Sequence, residues 1–260
     1  MTSLLLLKLI LTPALLGLVS LAGRRWGPAV GGWLIGLPLT SAPVNLYLAL
    51  DHGTAFAARA AQGTIIGILS LSAFGLAYTH LAGRHGWPPC LLGAWLAYGA
   101  VTLILQDVAV PLLLSAAGAV AGTSLALALL PAGAAHAALP PAARWEIPLR
   151  MIVGTVFVLV LTGMAGVAGP RLSGLLVTFP VFGSILAVFT QRFAGAPAAA
   201  RMLRGMMTGG FAIAVFFTVI AVTLETWGVG PSFVTATGAA LALHGASLWL
   251  LHRRPAPGHG

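Results

Sequence analysis

Acidic residues are almost absent: Asp51, Asp107, Glu146 and Glu225 are the only four in 260 residues, and charged residues of both signs make up 7% of the chain. An ordinary soluble domain carries about a quarter charged residues, so a water-facing surface cannot be assembled from this supply. Cys90 is the single cysteine, which excludes an intramolecular disulfide, a CxxC redox pair and a thiolate metal cluster. There is no acidic cluster to hold Mg²⁺, no HExxH to hold zinc and no GxSxG around a serine nucleophile. The chain is therefore expected to be no enzyme and to need no metal or cofactor.

Apolar residues make up 59% of the sequence, and the mean hydropathy is +1.00. They gather in runs of roughly 18 residues or more, and in hydrocarbon only a helix or a closed barrel satisfies its own backbone. The runs are too long and too unalternating for barrel strands. The expected class is all-α, a polytopic membrane protein with about nine spans: 4–23, 28–50, 60–81, 88–106, 108–131, 149–168, 172–191, 205–224 and 231–251. The connection after the fourth span is little more than Gln106 and Asp107, with Pro111 just inside the fifth, and implies a tight reversal. The one long connection, 131–148, is rich in Ala and Pro and carries His136, Arg144, Trp145 and Glu146, as an interfacial linker would.

The first apolar run has the length of a signal peptide but the wrong charge order. Lys8 lies inside it and Arg24 and Arg25 follow it, so it is read as a mature helix. The net charge of +9 is not a nucleic-acid patch, because the basic residues sit in the connections between runs. With nine spans, Arg24, Arg25, Arg84, Arg144, Arg150, Arg192, Arg201, Arg204, Arg253 and Arg254 fall on one side. Only Lys8, Arg59 and Arg171 fall on the other. The positive-inside rule then puts the N-terminus outside and the C-terminus in the cytoplasm of an inner membrane.

Sliding the chain against itself by 142 positions aligns GPAVGGWLIGLPLTSAPVNLYLALDHGTAFAARAAQGTIIG with GPRLSGLLVTFPVFGSILAVFTQRFAGAPAAARMLRGMMTGG without a gap. Matches of Leu and Ala mean little in such sequence. Gly27/Gly169, Pro28/Pro170, Gly32/Gly174, Pro38/Pro180, Gly53/Gly195, Arg59/Arg201, Gly63/Gly205 and Gly67/Gly209 mean more, because these residues constrain the backbone or carry charge. Lys8 falls opposite Arg150. The pattern predicts repeat 1 over 1–107, a linking helix and loop over 108–147, and repeat 2 over 148–260. A four-span unit starts and ends on one face, so one extra crossing turns the second copy upside down. Inverted repeats are a recurring plan of secondary transporters, though some channels and structural subunits share it.

Pro38 and Pro180 are matched midpoint prolines, in GLPLTSAP and TFPVFGS. A proline removes a backbone donor and frees carbonyls near the bilayer centre. Pro38, Thr40, Ser41, Asn45, Thr178, Pro180 and Ser184 are thus the candidate wall of a substrate cavity; kinks that serve packing alone are the plainer reading. Arg59, Arg201 and Arg204 lie where the third and eighth helices should begin, a place that favours an anion, or else they reach headgroups and anionic lipid. Lys8 and Arg150 read as interfacial anchors, and the Gly63/Gly67 and Gly205/Gly209 rows as close-packing faces. His80 and His244 are candidates for proton movement. All four acids sit at or beyond a span end, so a cation exporter lacks its carboxylate and a neutral or anionic solute is favoured.

The second half, from about Pro148 to Leu251, resembles the GlpM family of small bacterial four-span membrane proteins in its GLLVTFPVFG stretch, the polar loop after it, and Arg201 four residues before Gly205. The resemblance implies a short unit duplicated into this chain, with an added fifth span, and brings no substrate or functional residues with it. The expectation is a transporter of a small neutral or anionic solute, free or lipid-linked, with membrane lipids and that solute as partners and a homo-oligomer left open. The alternative is a non-transporting membrane subunit or lipid-interacting structural protein.

Overall fold

Proline opens several helices. It lacks the N–H that a helix start leaves unpaired anyway, and Pro28, Pro88 and Pro197 each stand at the first or second position of a helix. The computed structural model describes residues 2–38, 41–105, 108, 110–131, 145–160 and 179–253, with side chains at 9–246 of these. Every regular element among them is an α-helix. In order these are α1 (Thr2–Trp26), α2 (Pro28–Ile35), α3 (Ser41–His52), α4 (Thr54–Ala82), α5 (Trp87–Leu105) and α6 (Leu112–Leu129). A helix over 146–160, α7, follows, then α8 (Val181–Ala194), α9 (Ala196–Trp227) and α10 (Val229–Arg253). Four of them, α4, α5, α6 and α9, are long and apolar enough to cross a membrane. Ile10, Ile104, Leu113 and Val234 are largely exposed, an outer surface suited to lipid rather than water. The chain is thus a helical membrane protein.

Three local features differ from expectation. The helices α4 and α9 begin at Thr54 and Ala196, well before 60 and 205. Their first turns, TAFAARAAQ and APAAARMLR, are alanine-rich and strongly helix-forming, while their polar residues hide them from a hydropathy window. The second span is not one helix: α2 ends at Ile35, and Gly36, Leu37 and Pro38 are non-helical. Gly36 and Leu37 donate to Trp33 and Leu34, three residues back, the tightening typical of a helix end. Pro111 is the N-cap of α6, just outside that helix rather than inside it.

The ends of the helices keep the 142-residue shift. His52 and Ala194 end α3 and α8, Thr54 and Ala196 open α4 and α9, and Trp87 and Val229 open α5 and α10. Between the first two pairs lie Gly53 and Gly195, with φ/ψ of 88°/163° and 82°/170°. A residue with a Cβ scarcely enters that region, so each glycine reverses the chain within a single residue. Each glycine's carbonyl accepts the N–H four residues on, from Ala57 and Ala199, at 3.2 Å in both cases.

Burial divides into two principal clusters, and the shift exchanges them. Phe74, Tyr78, Ala82, Ala94 and Tyr98 lie in one with Ala199 and Leu203. Their counterparts Phe216, Ile220, Leu224, Ala236 and Ala240 lie in the other with Ala57 and Ala61. The C-terminal half of α4 thus packs with the N-terminal half of α9, and the reverse holds in the second cluster, so the two central helices run antiparallel. Both also carry α6 on their flanks.

Candidate functional site at the two helix breaks

The break between α2 and α3 and the non-helical start of α8 at Pro180 meet on α9. A Cβ built on Gly36, two residues before Pro38, would lie 2.2 Å from Gly209 Cα, and one on Gly183, three after Pro180, would lie 2.9 Å from Met206 Sδ. Met206 and Gly209 are less than one turn apart near the middle of α9, and α2 also touches α8. The approach of α2 is backbone on backbone. A Cβ at Gly32 would sit 1.8 Å from Met202 O, and one at Gly205 would sit 2.0 Å from Ala29 O. The glycine row read from the sequence for α9 therefore packs against a second row, Gly32 and Gly36. By contrast, nothing described lies within 4 Å of a Cβ at Gly63 or Gly67.

The prolines behave alike. Pro38 O accepts Ala42 N–H at 2.9 Å, and Pro180 O accepts Ser184 N–H at 2.8 Å, again 142 residues apart. Phe179 and Pro180 precede α8 as non-helical residues, with a tight bond from Val181 N–H to Phe179 O at 2.8 Å. Among the candidate residues, Ser41 opens α3, and Asn45, one turn on, is buried and donates from Nδ2 to Ala57 O at 3.0 Å. Ser184 is buried and accepts from Trp95 Nε1 at 2.9 Å. Trp95 belongs to an aromatic group with Tyr98, Phe157 and Phe179 that packs over the Pro180 break. The residues equivalent to these four are Thr237, Ala240, Leu15 and Leu37, so the two breaks differ in their lining. Thr40 and Thr178 lie outside the described residues.

The arginines are not gathered at the breaks. Because α4 and α9 start early, Arg59 and Arg201 stand on second turns rather than before the helices, and the pull of the helix dipole has faded there. Arg59 is exposed and Arg201 half-buried. Arg204 donates to Leu127 O, Leu130 O and Pro131 O at 3.2–3.4 Å, covering carbonyls at and just beyond the C-terminal end of α6. Its counterpart Gln62 donates to Val110 O and to Ser115 Oγ at the other end of α6. Two residues 142 positions apart thus hold the two ends of α6. The cation stands at the negative end of its dipole and the neutral amide at the positive end, as electrostatics favours. A glutamine opposite an arginine, at the starts of the third and eighth spans, was the sequence signal for this clamp, and a search for identities passes over it.

Two further polar groups lie elsewhere. Tyr78 Oη donates to Gln191 Oε1 at 2.8 Å, and Gln191 Nε2 donates to His85 O at 2.9 Å, which ties the α4–α5 turn to α8. Glu146 is buried at the start of α7, not in an interfacial loop. It accepts from Arg150 and, at 3.1 Å, from Arg24. Arg150 does not reach for the interface as an anchor would: it is buried against Glu146, with its guanidinium 5.4 Å from the Phe189 ring. His244 is buried and stacked at 3.5 Å on Trp33, three residues before Gly36 at the end of α2, which places it next to that break, whereas His80 bonds back to Leu76 O on its own helix. Among the described residues no group of three His, Cys, Asp or Glu could hold a metal ion. Comparison with family models, curated proteins and solved structures finds no match to this chain.

Proposed function

We propose that this chain is an inner-membrane transporter or facilitator of a small neutral or anionic solute, built from two inverted repeats that move against one another around the breaks at Pro38 and Pro180. The observation that carries the reading is that the break at Pro38 and the non-helical start of α8 at Pro180, equivalent by the 142-residue shift, approach α9 within a turn of each other near its middle. Unwound backbone at membrane depth is tolerated only where protein or a polar cavity covers it, and transporters place their sites there. The antiparallel course of α4 and α9 supports inversion, since an axis along the membrane normal would leave equivalent spans parallel. The two exchanged core clusters and the clamp at both ends of α6 fit an axis in the membrane plane that crosses α6 near its centre.

On this reading, about nine spans divide into repeat 1, linking helix and repeat 2, with α2 and α3 forming one interrupted span. The N-terminus lies outside and the C-terminus in the cytoplasm. The resemblance of the second half to the GlpM family fits the duplication of a four-span unit.

The test is flux into proteoliposomes. Purified protein is reconstituted, and entry of a panel of small polyols, amides, carboxylates and phosphate is followed by light scattering against protein-free vesicles. At least one solute is expected to enter faster with protein, by tenfold or more at the rates of a working facilitator, and Asn45→Ala is expected to remove the difference while inserting normally. If every solute enters at the protein-free rate, the transport reading is lost and the non-transporting subunit takes its place.

A further inference from the structure

We propose that the solute held at the α2–α3 break is a neutral hydrogen-bond donor, carrying an O–H or N–H group that Asn45 Oδ1 accepts; this rests on reading the break as the solute site. Asn45 is 3% exposed, one turn into α3 from Ser41. Its amide cannot be turned over: Ala57 O can only accept, so the group bonded to it at 3.0 Å must be the NH₂. That fixes Oδ1 as the free end, and no donor among the described residues reaches it. A buried amide oxygen without a donor ordinarily costs about 1–3 kcal/mol, and such orphans are rare enough to require a cause. A buried acceptor that no described donor reaches, one turn into the helix that follows a break, is suited to a ligand that brings the missing proton.

The same atom separates the two solute classes that composition alone leaves open. A carboxylate or phosphate would set its lone pairs against those of Oδ1, and no described contact brings a Lys or Arg side chain to that atom. Arg204 is occupied by the carbonyls at the end of α6, Arg59 is exposed on α4, and neither α2 nor α3 contains Lys or Arg. An ammonium group would find an acceptor but no buried carboxylate on α2 or α3, where the one acid, Asp51, is exposed, and an isolated buried charge is far costlier than a buried hydroxyl. A neutral alcohol or amide satisfies Oδ1 and introduces no charge.

The test is thermal unfolding of the purified full chain with millimolar xylitol, acetamide, acetate or inorganic phosphate, concentrations too low for general osmolyte effects. Xylitol or acetamide is expected to raise Tm saturably in the wild type. The rise should vanish in Asn45→Leu, with Asn45→Ala carrying the comparison if leucine does not fold, while acetate and phosphate leave both proteins unmoved. The proposal is overturned if neither neutral probe shifts Tm, if the shift survives in the variants, or if an anion stabilises the protein in an Asn45-dependent way. An Asn45-dependent shift without flux in vesicles would uphold this inference and defeat transport. Flux unaffected at Asn45 would do the reverse.

Discussion

Replacing Glu146 by glutamine is expected to destabilise the protein by about 3–5 kcal/mol, the usual penalty for removing one partner of a buried ion pair. The carboxylate is the single anion between two guanidiniums, and its side chain and that of Arg150 are 5% and 9% exposed. Glutamine keeps the shape and one acceptor oxygen but leaves the two guanidiniums without the anion between them. Arg150 is the more deeply committed, since its aliphatic stem is buried and its head lies over Phe189. Chemical unfolding of the detergent-purified variant measures the loss, and Arg24→Gln, at the more exposed partner, should cost much less. Equal stability of wild type and Glu146→Gln would show that the cluster is solvated and structurally idle.

The second large effect concerns glycine. Gly32→Val should abolish folded protein or cost at least the upper end of the about 1–3 kcal/mol typical of overpacking, because the added Cβ would lie 1.8 Å from a backbone oxygen of Met202. A flexible side chain can swing away from such a clash, but helical backbone cannot. Gly209→Val should behave in the same way, with Trp33 O and Gly36 Cα each 2.6 Å from the new atom. Gly67→Ala is the control: no described neighbour stands within 4 Å, and the exchange should be neutral or mildly stabilising through helix propensity. Yield of monodisperse protein after membrane extraction, followed by Tm, distinguishes the cases. Normal yield of Gly32→Val would mean that α2 does not rest on α9 as described.

The interruptions at Pro38 and Pro180 were legible in the sequence because proline acts on its own backbone, whereas Gly53 and Gly195 stood out only as matched positions and the single-residue turns they make emerge from the fold. Helix starts were less legible, since hydropathy reports which residues favour hydrocarbon and not where helical hydrogen bonding begins. The alanine-rich openings of α4 and α9 are helical regardless of their arginines. What a long polar side chain reaches was not legible at all. Arg150 and Arg204 carry the same charge, yet one is buried on a carboxylate four residues back and the other covers carbonyls more than seventy residues away. Glu146 looked like a loop residue because its partner Arg24 is 122 positions distant. Asn45 was chosen for its place beside Pro38, but the fixed direction of its amide depends on Ala57 and emerges only from the fold.

The proposed inversion of the two halves is tested most directly at the turns on Gly53 and Gly195. His52 and Arg192 are exposed beside Gly53 and Gly195, and Cys90 is the only thiol to remove. Single cysteines at these positions in a Cys90→Ser background are treated with a membrane-impermeant maleimide in intact cells and again after permeabilisation. Labelling of His52→Cys from outside, and of Arg192→Cys only after permeabilisation, is the predicted result; both sites reacting from the same side of the membrane would contradict it.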